Sequence, residues 1–135
     1  VPREHGLEFI SGSHIWGKMF MPKKFLTHEE YDYKPKSFDP IPDIESNRDQ
    51  YEILSWDLEP GDCIVFHFKT LHAGAGNLQR SNRRRAFSSR WLGDDTVFAE
   101  RPGKTSPPFP ELTFKQCDSM IHPLFPVCWE NHQTA

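Results

Sequence analysis

The sequence has no CxxC pair, no apolar run of membrane-spanning length, no large excess of one charge and no methionine at its start. Each absence excludes something. Three widely spaced cysteines, Cys63, Cys117 and Cys128, build neither a zinc ribbon nor a disulfide framework. Reduced thiols in a cytoplasmic protein are the simplest expectation. Sixteen basic residues against nineteen acidic ones give no global reason for a nucleic acid or a membrane surface as partner. Internal repeats and low-complexity tracts are also missing. The opening VPREHG carries no signal-like segment and reads like the interior of a domain.

What is present points to short strands and long loops. The 135 residues suffice for one compact domain. Aromatics at 13% together with 12 prolines favour an all-β chain with long excursions over a helical bundle. Leu7, Phe9 and Ile10 followed by Ser11-Gly12-Ser13 predict a short strand and a tight turn. Residues 17–50 read as a long polar loop with at most one helical turn at 27–31, where Thr27 would be the N-cap and Glu30 the third residue after it. Residues 51–58, YEILSWDL, are β-rich. Pro60 and Gly61 suit the centre of a type II turn. CIVFHF at 63–68 predicts a strand buried on both faces, and RRRAFSSRWLG at 83–93 another. The tail beyond is proline-rich and irregular.

Two histidines carry the candidate chemistry. His67 ends the apolar run and His72 precedes the small segment AGAGN. Five positions apart on an unbroken strand, they would face opposite ways and not share one ion. Small residues after a strand-borne histidine leave room for a second ligand or a substrate. Arg83, Arg84 and Arg85 follow, and a planar guanidinium binds carboxylates with two donors. A metal ligand plus a carboxylate clamp is what holding a 2-oxo acid on iron requires. The plainer reading of QRSNRRR is a solvated basic patch. Alternation puts Arg84, Ala86 and Ser88 on one face, which favours Arg84 as the inward arginine.

The ordered set LEFISGSH, LEPGDCIVFHFKTLHAGAGN, RRRAFSSRWLGDD, RPG and SPPFP resembles the phytanoyl-CoA dioxygenase family over nearly the whole chain. That resemblance implies a double-stranded β-helix, a jelly-roll of cupin type, housing Fe(II) and using 2-oxoglutarate and oxygen to oxidise a C–H bond of a small molecule or acyl substrate. It implies a facial His-x-Asp and distal-histidine triad. His72 matches the distal histidine, and is the expected metal ligand and catalytic residue. Arg84 matches the 2-oxoglutarate-binding arginine, with Arg83 as the fallback. His14, in GSH, matches a structural turn.

The sequence departs from the family in two places. No His-x-Asp precedes His14, so the resemblance implies a C-terminal, partial oxygenase domain. An internal substitute, His28 and Glu30 with His72, falls out of family order and on a poor frame. Two places after His72, where some members have serine, stands Gly74, so that this contact is either absent or supplied by Ser88 or Asn77. Residues 17–50 and 94–112 are natural lids, with Trp16, Phe20, Phe25, Tyr31 and Tyr33 as pocket-lining candidates. Two other classes compete with the oxygenase: a cupin-like binding module that has lost catalysis, and a nucleic-acid contact through QRSNRRR, which the net charge of -3 opposes.

Overall fold

The computed structural model describes residues 1–23, 29, 38–74, 76, 83–100 and 109–130. It divides into two compact units, Val1–Phe87 and Ser88–Ala135. Among the described residues loop dominates both, and the three short strands all lie in the first. The described helical segments are short 3-10 turns, and no described helix is long and apolar enough to cross a membrane.

The first unit is organised by a small three-stranded antiparallel sheet. Its strands are β1 (Glu8–Ile10), β2 (Ile53–Leu54) and β3 (His72–Ala73), in the order β2-β1-β3. Phe9 sits opposite Leu54 on one side and His72 on the other. The central position explains why consecutive residues of β1, Phe9 and Ile10, are both buried. Phe9 is 4% exposed and packs edge-on against Phe66 with centroids 4.9 Å apart. Its burial is worth about 1.5–3 kcal/mol. The pairing continues irregularly towards the start of the chain, where the Leu58 N–H donates to the Val1 carbonyl at 2.9 Å.

Local sequence sets the turns. Gly12, at φ 69°, lets the chain reverse straight after β1 into the 3-10 turn Ser13–Ile15. Gly61, at φ 106°, occupies the third position of the predicted type II turn, closed by the Asp62 N–H on the Glu59 carbonyl at 3.1 Å. A 3-10 segment, Glu45–Gln50, lies inside what reads as loop; the Asp43 carboxylate starts it by accepting the Ser46 N–H at 3.1 Å. Those Ser46 hydrogen bonds hold the Asp43 carboxyl below the usual carboxylate range.

Two predicted strands are corrected. Residues 63–68 make no strand pairing and are largely exposed, with Val65 at 92%. Residues 83–93 likewise form no strand, in either unit, and Phe87 and Trp91 are exposed. An apolar run dictates burial only when a neighbouring strand takes its backbone and a second layer covers its faces; the described residues provide neither. The predicted helical turn at 27–31 falls on Thr27, His28, Glu30 and Tyr31, which lie outside the described residues.

The second unit holds an irregular hairpin. Val97 bridges Ser119, and Phe98 and Asp118 are joined by a 2.7 Å backbone bond. Phe98, Phe114 and His122 form an edge-to-face aromatic chain with spacings of 5.7 and 5.5 Å.

Candidate functional site

His72 opens β3 at an edge of the sheet, on the same face as its register partner Phe9. Its ring lies 5.8 Å from the Phe9 ring, nearly parallel, and 4.8 Å from Phe66. Two aromatic walls therefore fix the imidazole of a residue that stays exposed. Its Nδ1 lies 2.9 Å from the Thr70 carbonyl oxygen. A carbonyl only accepts, so Nδ1 carries the proton and the Nε2 lone pair of the neutral ring is left bare.

His67 is arranged the other way. Its Nδ1 accepts the Lys69 N–H at 3.2 Å, so the neutral ring carries its proton on Nε2. The unbroken strand expected between the two histidines is replaced by a turn, closed by the Thr70 N–H on the His67 carbonyl at 2.9 Å. The exposed His14 faces His67 with rings 5.5 Å apart.

The residue that sequence reasoning passed over is Ser13. It is 2% exposed. Its hydroxyl donates to the Ile10 carbonyl at 2.8 Å and accepts the Leu71 N–H at 2.9 Å. In GSH the eye goes to the histidine, yet the serine is the buried member. The available signal was a short polar side chain just past a strand end, where such residues bond nearby backbone.

Beyond β3 the chain passes close to an arginine. A Cβ on Gly74 would stand 3.9 Å from Arg84 Nη1, 3.2 Å from the Gly6 carbonyl oxygen and 3.1 Å from Leu7 Cδ2. Arg84 is half-buried, whereas Arg83 and Arg85 are exposed. Gly74 is thus closely packed, and a serine there would press on the Gly6 carbonyl and Leu7. Of the two residues considered as its substitute, Asn77 lies outside the described residues and Ser88 belongs to the second unit.

On the far side of β1, Arg48 clamps Glu8 with two bonds of 2.8 and 3.0 Å and also reaches Glu45 at 3.1 Å. The Arg48 hydrogen bond holds the Glu8 carboxyl below its ordinary range, burial opposing it only partly. Arg48 itself is pushed further up by Glu8. This clamp braces the strand whose first residue pairs with Ala73.

Among the described residues no group of three or more His, Cys, Asp or Glu side chains gathers to hold a metal. His72, with a bare Nε2 and a backbone partner on Nδ1, has the donor chemistry of one ligand. It fits one coordination position of an iron site; the described residues do not complete the set. His28 and Glu30 lie outside the described residues, as do Phe25, Tyr31 and Tyr33. Trp16 and Phe20 do line a shallow open cleft of about 310 Å³ with Lys18, Pro40, Pro42 and Tyr51.

The sequence model of the phytanoyl-CoA dioxygenase family matches residues 2–86, well over half of the chain. No curated protein and no solved structure matches it significantly.

Proposed function

Because the chain belongs to the phytanoyl-CoA dioxygenase family, we propose that it carries the distal-histidine and co-substrate-binding part of an Fe(II)- and 2-oxoglutarate-dependent dioxygenase, on a partial double-stranded β-helix. The observation that carries this reading is the pairing of a histidine whose Nε2 is bare with a half-buried arginine beside Gly74, two residues further on.

In this reading His72 supplies one iron ligand through Nε2. Its Nδ1–H stays on the Thr70 carbonyl, so the lone pair needs no proton transfer before it binds. Arg84 takes the distal carboxylate of 2-oxoglutarate with its two-donor fork, and half-burial strengthens that pair relative to a fully solvated one. Arg83 is the alternative clamp. When bound, the iron supplies oxygen activation for attack on an unactivated C–H bond, 2-oxoglutarate being consumed to succinate and carbon dioxide. The chain's own contribution is orientation: Phe9 and Phe66 hold the imidazole plane. The substrate is a small molecule or an acyl compound; neither nucleic acid nor membrane is a partner, and the protein works in the cytoplasm.

A second reading is a cupin-like module without turnover. The lack of a three-donor group among the described residues favours it. Succinate formation from 2-oxoglutarate with Fe(II) and oxygen, measured on protein expressed from the complete reading frame, separates the two. The oxygenase reading expects turnover that His72→Ala abolishes. It expects Arg84→Ala to raise the KM for 2-oxoglutarate at least tenfold, the loss of one charge-assisted pair of about 1.5–3 kcal/mol. No turnover and no 2-oxoglutarate binding would overturn it in favour of the binding module. A silent Arg84→Ala with an impaired Arg83→Ala would move the clamp by one residue.

A further inference from the structure

β1 and β3 should be joined, beyond the Phe9–His72 pair, by two bonds between Ile10 and Leu71. One is there: the Ile10 N–H donates to the Leu71 carbonyl at 2.9 Å. In place of the other, the Ser13 hydroxyl accepts from the Leu71 N–H and donates to the Ile10 carbonyl. A hydroxyl has one proton to give, and here that proton is committed.

The Leu71 N–H and the Thr70 carbonyl belong to the same peptide plane. That carbonyl is the acceptor for His72 Nδ1. The flanking peptides are anchored by backbone: the Thr70 N–H on the His67 carbonyl and the Leu71 carbonyl on the Ile10 N–H. Among the described residues, the 70–71 peptide is held only by Ser13 on one side and His72 on the other.

We infer that Ser13 is a positioning residue for His72, acting through the Thr70–Leu71 peptide to keep the imidazole proton on Nδ1 and the Nε2 lone pair outward. The bonds form one chain of a single polarity: His72 Nδ1–H to the Thr70 carbonyl, the Leu71 N–H of the same peptide to Ser13 Oγ, and Ser13 O–H to the Ile10 carbonyl. Bonds aligned in this way polarise one another, so a strong hold at Ser13 makes the Thr70 oxygen a better acceptor. Without the hydroxyl, the peptide either tilts to find another partner for its N–H or closes directly onto Ile10. Both movements displace the Thr70 oxygen. The value of this to catalysis rests on His72 being an iron ligand; the tautomer itself does not.

The test is nitrogen NMR of the His72 ring in the metal-free full chain, at alkaline pH with the ring neutral. The wild type is expected in the Nδ1–H form. Ser13→Ala is expected to move most of the population to Nε2–H, the form that free imidazole side chains favour in water, and Ser13→Thr to restore Nδ1–H. Where Ser13→Ala does not fold, Ser13→Cys, close in shape and weaker as donor and acceptor, is expected to give a partial shift. A wild type in the Nε2–H form, or a folded variant lacking the hydroxyl with an unchanged tautomer, overturns the inference. Failure of iron-dependent turnover with the expected tautomer pattern overturns only the oxygenase reading.

Discussion

Gly74→Ala tests the closeness of the first unit's packing beside Arg84. Its φ lies outside the left-handed region, so alanine is not strained through the backbone. The cost is steric. A Cβ would meet Leu7 Cδ2 at 3.1 Å, the Gly6 carbonyl oxygen at 3.2 Å and Arg84 Nη1 at 3.9 Å. The arginine contact is ordinary, and the leucine tip can rotate away. The carbonyl is backbone: Gly6 is buried, and its own N–H is bonded to Arg3 at 3.0 Å. Relieving that contact by a few tenths of an ångström falls at the low end of the roughly 1–3 kcal/mol typical of overpacking. Against it, alanine restricts the unfolded chain and returns about 0.4–1 kcal/mol. Steric cost wins narrowly, leaving a net loss of about 0.5 kcal/mol at most. Urea unfolding should show a lower midpoint at unchanged slope. A midpoint equal to or above wild type would refute the close approach of β3 to Gly6.

The Glu8–Arg48 clamp predicts a pH dependence. The folded Glu8 carboxyl lies below its unfolded value, so its stabilising contribution is full above the ordinary carboxylate range and is lost as pH falls through the folded value. The stability difference between wild type and Glu8→Gln should therefore shrink on acidification and in high salt, since both side chains are more than a third exposed; a difference constant from pH 7 to 3 would refute it. Two turns of the same design give a reciprocal pair. In residues 59–62 and 115–118 an aspartate in the fourth position caps the first N–H, at 2.8 and 2.7 Å, and the third residue has positive φ: Gly61 in one, Cys117 in the other. Nothing lies within 4 Å of a Cβ on Gly61, so Gly61→Ala isolates the backbone effect, a net loss of about 0.5–1 kcal/mol once alanine's restricted unfolded chain is subtracted. Cys117→Gly should gain about 0.5–1 kcal/mol after glycine's extra unfolded freedom is subtracted, read as slower hydrogen exchange at Phe98 and Asp118; faster exchange there would refute it.

The sequence by itself determined the features that arise within a few residues. Glu8 to Ile10 made a strand, Gly12 reversed it, and Pro60-Gly61 made a turn, because sterics at a single residue decide each. The ordered motifs also determined the family, since they report ancestry independently of packing. The tertiary structure decided what depends on distant partners. CIVFHF reads as a buried strand by composition, yet no described strand takes its backbone, and it stays exposed. Ser13 and Leu71 are 58 positions apart, and nothing local in either marks the bond between them. The tautomer of His72 hangs on that bond's peptide, while the opposite tautomer of His67, five residues earlier, is set by its own turn. Identical side chains in one short stretch thus present a lone pair and a donor, because Nδ1 keeps the proton where it faces a backbone carbonyl and gives it up where it faces a backbone N–H.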